Sequence, residues 1–214
     1  MFWGRYAILR LMQNMTSPLP DGMPENPPST GKFLTGKLLI AMPQMNDPRF
    51  KKTVIFLCAH DAKGAMGITI NQELETLPLS VLLSQLHLSA GDDFDDFPVL
   101  QGGPVETARG LLLHTDDVLK TDSIRIAPDF AVTGTIEALR EILQGKGPAD
   151  KLFALGYAGW GPAQLEAELA DNAWLIVDAD PDLVFRIPAN QKWERAIRKL
   201  GIDPGFLTTT VGHA

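Results

Sequence analysis

The chain has a single cysteine in 214 residues. One thiol excludes an intramolecular disulfide and any cysteine-based metal cluster. Cys58 lies in the apolar run Thr53-Val54-Ile55-Phe56-Leu57-Cys58-Ala59-His60. That setting predicts a buried packing role, because a reactive thiol needs an electropositive, part-exposed site. Long hydrophobic runs are missing as well. No window reaches the roughly 18 uninterrupted apolar residues of a membrane-spanning helix, and the cytoplasm is the expected compartment. Positive charge is also scarce, with 19 Lys and Arg against 26 Asp and Glu and a net charge of −7. This balance opposes direct nucleic-acid binding, which needs a basic surface to neutralise phosphates.

Catalytic signatures are equally sparse. There is no Gly-x-Ser-x-Gly elbow, and Ser80, Ser84 and Ser89 lie in or beside a short predicted helix with no base attached. His60, His87, His114 and His213 stand in no HExxH or other ligand spacing. His114-Thr115-Asp116-Asp117 is read as a solvated loop in preference to a cation site. Asp92-Asp93-Phe94-Asp95-Asp96 lacks the alternation and closing glutamate of an EF-hand. No metal, cofactor or catalytic residue is expected.

What is present is average soluble composition, 45% apolar and 21% charged, enough for one sizeable core. Residues 1–33 read as a flexible leader, with Met15 as an alternative start. From Leu34 the pattern predicts strands at Lys37–Met42, Thr53–His60 and Ala65–Asn71. The last two are joined by a four-residue hairpin loop, Asp61-Ala62-Lys63-Gly64, and their hydrophobicity suggests cover on both faces. Further strands are expected at Pro98–Gln101, Gly110–Leu113, Ser123–Ala127, Phe130–Val132, Lys151–Tyr157 and Ala173–Val177. Apolar residues at helical spacing predict helices over Pro78–Leu86 and Thr135–Leu143. Others are expected over Pro162–Ala170 and over Pro188–Leu200, the latter ended by Gly201. The fold class is α+β, a single compact domain with a mixed, mainly antiparallel β-sheet flanked by helices.

Two glycine-rich segments carry the functional signal. In Gly156-Tyr157-Ala158-Gly159-Trp160-Gly161-Pro162-Ala163-Gln164-Leu165-Glu166, a strand enters a glycine turn and then a helix. Placing Gly161 at the N-cap puts Pro162 at the first helical position and lets Gln164 reach back to the Gly161 N–H. Trp160, which looks exposed, and Leu165 then occupy the two positions of a hydrophobic staple. The other reading is that free N–H groups at this helix start receive an anion or carbonyl. A phosphate loop of the P-loop kind is excluded, since no Gly-Lys-Ser/Thr follows. The second segment, Gln101-Gly102-Gly103-Pro104-Val105, suggests positive φ or close backbone approach. If both segments line one rim of the sheet, they frame a pocket with Asn71 and Tyr157. The binding candidates are thus Asn71, Gln101, Gly102, Gly103, Tyr157, Gly159, Trp160 and Gly161. Lys192, Arg195, Arg198 and Lys199 also place four positive charges along one side of the last helix, as a solvated face or as an interface for an acidic partner.

These motifs together resemble the YqgE/AlgH family of bacteria. The resemblance rests on Gly36-Lys37-Leu38-Leu39-Ile40-Ala41-Met42-Pro43, Asp47-Pro48-Arg49-Phe50, Gly64-Ala65-Met66-Gly67-Ile68-Thr69-Ile70-Asn71 and the two glycine segments. It runs from about Leu34 to Asp203, and residues 1–33 depart from the family's compact start. It implies a compact α/β domain with no established catalytic activity, cofactor or catalytic residues. One member name implies transcriptional regulation in alginate-producing bacteria. The expected function is a non-enzymatic cytoplasmic binding or regulatory protein, acting on transcription through a partner and using the glycine rim as its contact surface. Its partner is an unidentified protein or small molecule. The alternatives are a small-molecule or nucleotide-handling enzyme at that rim, with Asn71, Gln101 and Tyr157 as polar contacts, and a direct DNA-binding regulator.

Overall fold

The computed structural model describes residues 33–89, 97–120, 122–134 and 136–207. The leader before Phe33, the Asp92–Asp96 loop, Thr135 and His213 lie outside the described residues.

Strands β1 (Lys37–Ala41), β2 (Val54–Asp61) and β3 (Gly64–Thr69) form an antiparallel meander. Strand side chains alternate between faces. In β2 this sends Val54, Phe56 and Cys58 into one hydrophobic cluster and Ile55 and Leu57 into another. The expected cover on both faces is present, and burial pushes the Cys58 thiol pKa up. The β2–β3 connection is tighter than its sequence suggests. Asp61 still pairs with Gly64, so only Ala62 and Lys63 make the turn. The Lys63 N–H donates to the Asp61 carboxylate at 2.7 Å, and Gly64 takes φ 141°.

The remaining strands are β4 (Val99–Gln101), β5 (Val105–His114), β6 (Ser123–Ala127), β7 (Phe130–Thr133), β8 (Lys151–Trp160) and β9 (Trp174–Asp178). They complete a nine-stranded sheet in the order β6-β7-β5-β8-β3-β2-β1-β9, with β4 set against β8. The β4–β8 pair is parallel and the other described pairs are antiparallel.

Among the described residues, four α-helices cover the sheet: α1 (Leu79–Gln85), α2 (Ile136–Leu143), α3 (Gln164–Ala170) and α4 (Ala189–Lys199). Leu79, Leu82 and Leu83 of α1 pack with Leu139, Ile142 and Leu143 of α2 over Phe153 and Leu155 of β8. Leu165 of α3 packs with Trp160 and Trp174 over Leu39 and Ile55. Trp193, Ala196 and Ile197 of α4 join Leu183 and Val184 of a π-helical turn, Asp182–Arg186, against Leu38, Ile40, Phe56 and Ile68. The C-cap of α4 is as its sequence predicts, with Gly201 at φ 76° donating its N–H to the Arg198 carbonyl at 2.9 Å.

The four-cation face expected on α4 requires correction. Lys192 is only 2% exposed and its ammonium donates to the Val184 carbonyl, on the same side as the buried Trp193 and Ile197. Arg195, Arg198 and Lys199 alone face outward. Position 199 lies two turns beyond position 192 at nearly the same azimuth, so helical spacing does not set the two apart. The packed π-helical turn does, because its Val184 carbonyl takes the Lys192 ammonium.

Candidate functional site

The two glycine segments meet at β8. Gln101 of β4 pairs with Leu155 on one edge of β8, while Val105 of β5 pairs with Tyr157 on the other edge. Gly102, Gly103 and Pro104 must therefore carry the chain across the face of β8. The crossing is backbone against backbone. A Cβ on Gly102 would lie 2.1 Å from the Gly156 carbonyl oxygen, and one on Gly103 2.1 Å from the Tyr157 carbonyl carbon. Gly156, at φ 74°, would place a Cβ 2.6 Å from the Gly103 oxygen. Two hydrogen bonds fix the seam: Gly102 donates to the Leu155 carbonyl and accepts from the Thr69 N–H, both at 2.8 Å.

Beyond the crossing, β5 bulges. Its pairing with β8 jumps from Val105–Tyr157 to Gly110–Leu155, so residues 106–109 loop out beside Gly156. Glu106 is held in the left-handed region at φ 43°. Its carboxylate accepts from the Tyr157 hydroxyl at 3.0 Å and lies 3.5 Å from the buried Arg109 guanidinium. A bulge of this kind redirects side chains, and a left-handed glutamate costs of order 1–3 kcal/mol that its surroundings must hold in place. Gly159 is exposed, and a Cβ there would make ordinary contacts with Val105 at 3.7 Å and Tyr157 at 3.8 Å. Val105, Glu106, Tyr157 and Gly159 thus form one continuous surface, with Val105 36% exposed.

The other candidates are placed differently. Asn71 is spent on the backbone, its Oδ1 accepting from Val54 N–H at 2.7 Å and its Nδ2 donating to the Lys52 carbonyl at 2.8 Å. Gln101 is exposed and its N–H donates to the Gln72 carbonyl. Trp160, expected to be exposed, is 7% exposed. Its indole N–H donates to Glu168 at 2.9 Å, and the same carboxylate takes the Trp174 indole N–H at 2.7 Å.

The capping register is also corrected. Strand β8 continues through Trp160 because Ala65 pairs with it, and α3 begins only at Gln164, behind a left-handed Ala163 at φ 61°. Gly161 is therefore not the N-cap, nor Pro162 the first helical residue. Gln164 does accept the Gly161 N–H, at 3.0 Å. Gly161 is five residues beyond Gly156, up to about 17 Å along the strand, so the Trp160–Gly161 end stands apart from the crossing.

Sequence reasoning missed Glu106 and Arg109, since neither belongs to a motif and the bulge carries no local signal. His114 is likewise built into the fold. Its ring nitrogens contact the Thr115 carbonyl at 2.7 Å and the Thr133 hydroxyl at 2.9 Å, and burial lowers its pKa. No described helix is long and apolar enough to cross a membrane.

A second concave feature lies between the π-helical turn and α4. This cleft of about 420 Å³ is lined by Asp180, Asp182, Leu183, Arg186, Ile187, Arg195, Arg198 and Lys199.

Comparison with known proteins gives a consistent result. An AlgH-like family model matches residues 38–205. A UPF0301 protein of Bradyrhizobium diazoefficiens is 46% identical over 196 residues, covering 88% of this chain and 92% of the relative. One from Ruegeria pomeroyi is 50% identical over 183 residues, covering 85% and 99%. The solution structure of the AlgH protein from Pseudomonas aeruginosa superimposes with a TM-score of 0.71 at 38% identity, covering 87% of this chain and 99% of that one. A crystal structure from Corynebacterium diphtheriae, at 18% identity and a TM-score of 0.64, covers 98% of this chain and 100% of its own and shares the fold. With the glycine crossing inside the matched span and the relatives aligned over nearly their whole length, the chain belongs to the AlgH-like family.

Proposed function

We propose that this protein is a cytoplasmic, non-catalytic binding protein that recognises a partner protein through the surface beside the β8 crossing. Val105, Glu106, Tyr157 and Gly159 are its contact residues, with Gln101 at the margin. Gly102, Gly103 and Gly156 serve it indirectly by letting the chain cross and the bulge form. Asn71, Trp160 and Gly161 hold the flanking elements. Any effect on transcription passes through that partner, in keeping with the chain's net negative charge.

The observation that carries this reading is the left-handed Glu106, clasped by the Tyr157 hydroxyl beside the Arg109 guanidinium on an otherwise regular strand pair. The clasp holds a carboxylate outward beside an exposed valine and a bare glycine backbone. A flat surface of this mixture suits an interface whose tyrosine is pre-positioned, and tyrosine is enriched among interface residues that carry binding energy. Backbone packing in the seam favours a partner on the surface over a small molecule held between the glycine segments.

The test is site-specific photo-crosslinking in cells with the reactive side chain at position 159. The expected result is one dominant adduct that disappears in a Tyr157→Ala background. The same adducts from a reactive group at Glu137, on α2, or no adduct at all, would count against the assignment.

A further inference from the structure

The cleft between the π-helical turn and α4 has a charge arrangement that the fold does not need. It is lined by four cations and two carboxylates in a protein whose net charge is −7. The pairs are unevenly shared. Arg186 is held by Asp182 at 2.6 Å and Asp150 at 3.0 Å, which keeps it firmly charged. Lys199 is held by Asp180 at 2.5 Å and donates to the Asp178 carbonyl at 2.8 Å. Burial pushes the Asp180 carboxyl up, but the Lys199 ammonium and the Leu183 N–H outweigh it and keep the group ionised. With Asp182 and Asp150 on Arg186 and Asp180 on Lys199, these two cations are fully compensated.

The other two cations are left facing the cleft. Among the described residues Arg198 pairs only with Glu194, an exposed pair one helical turn away at 3.2 Å, and such pairs contribute little. Arg195 has no ion pair among the described residues. The two guanidiniums stand at i and i+3 on one side of α4. A planar guanidinium presents paired donors that match a phosphate or carboxylate in two-point fashion, and a concave, low-dielectric wall concentrates the field of such charges. Below them the floor is apolar, formed by Leu183 and Ile187. At the margin, the Asp180 and Asp182 carboxylates keep unused lone pairs that accept hydroxyl hydrogens. The volume, about 420 Å³, lies in the range of small-ligand sites. The π-helical turn that supplies Asp182, Leu183 and Arg186 is a rare conformation often found at functional sites.

We infer that this cleft binds a phosphate monoester of a hydroxylated, partly apolar small molecule of nucleoside monophosphate size. Arg195 and Arg198 take the phosphate, Leu183 and Ile187 the apolar part, and Asp180 and Asp182 the hydroxyls. A phosphate dianion carries both charges on one group that two neighbouring guanidiniums can share, which distinguishes it from a monocarboxylate and from a dicarboxylate whose charges stand apart. The site is separate from the crossing on β8 and independent of the function proposed there.

The test is calorimetric titration of the full chain at low ionic strength with AMP, adenosine and succinate. AMP is expected to bind saturably with one site, and adenosine and succinate to bind at least about tenfold more weakly. Arg195→Gln is expected to weaken AMP about tenfold or more while leaving the unfolding midpoint unchanged, since Arg195 is exposed and has no ion pair among the described residues. Arg140→Gln, on α2, is expected to bind AMP as the parent does. An absence of saturable AMP binding overturns the inference, as does adenosine or succinate matching AMP. Unchanged AMP affinity in Arg195→Gln, or equal losses in Arg195→Gln and Arg140→Gln, overturns it too.

Discussion

Individual glycines in this protein do different work, and the difference is measurable. Gly103 and Gly156 have no room for a methyl group and take positive φ, so alanine at either is expected to cost about 2–4 kcal/mol. Gly159 and Gly161 have neither constraint, and alanine there is expected to change stability by less than about 1 kcal/mol. Urea unfolding of the four variants checks this, and equal costs across the set would contradict the crossing geometry. The ionisation of the buried Lys192 bears on stability. Burial lowers its pKa to about 8 from the ordinary lysine value of 10.5, against the pull of the Glu73 carboxylate. Between those two values the unfolded chain holds the proton that the folded chain has lost, so stability rises with pH across that window. The full gain is about 3 kcal/mol. Measured by urea unfolding from pH 7 to pH 11, the parent is expected to gain about that much relative to Lys192→Met. A difference that stays flat with pH would contradict the burial of the ammonium.

At the scale of elements, β8 and α3 show why a glycine-rich motif misleads. Gly159 and Gly161 read as punctuation, so the strand was expected to stop at Tyr157. It continues three residues further because β3 supplies a partner as far as Ala65 opposite Trp160. Pairing across the sheet is non-local and outweighs local propensity. The expected contact of Trp160 with Leu165 does exist within one cluster, but from the end of a strand, not from a helix cap. What anchors α3 is Glu168, which accepts an indole N–H from β8 and another from β9. Neither spacing nor composition reveals that clasp, since the three residues converge from three elements. Glu168→Ala leaves two buried donors without their acceptor and is expected to cost about 2–4 kcal/mol, whereas Glu168→Gln, which keeps a carbonyl oxygen, should lose less. Chemical denaturation with tryptophan fluorescence reads both, and an Ala variant as stable as the parent would contradict the clasp.

Across the whole molecule, the strands and helices of the α+β fold were largely legible because their hydrophobic periods are strong. The two-sided burial of β2 and the apolar stripes of α1 and α2 could be read directly. The order β6-β7-β5-β8-β3-β2-β1-β9 could not, since it depends on partners distant in sequence. The sequence posed as a condition that the two glycine segments line one rim and frame a pocket with Asn71 and Tyr157. The chain brings Gln101–Pro104 against Gly156–Tyr157 by crossing β8, as a backbone seam, while the Trp160–Gly161 end stands apart. Glu106 and Arg109 were illegible, because only the jump in register between Val105 and Gly110 brings them to Tyr157. The glycine signature therefore builds a seam, and recognition is assigned to the surface next to it. The measurement that tests this most directly is partner binding by Gly159→Arg, compared with its thermal unfolding. An arginine at this exposed position is expected to leave the unfolding midpoint within a few degrees of the parent and to abolish capture of the partner crosslinked from position 159. A folded Gly159→Arg protein that holds the partner as tightly as the parent would contradict the assignment.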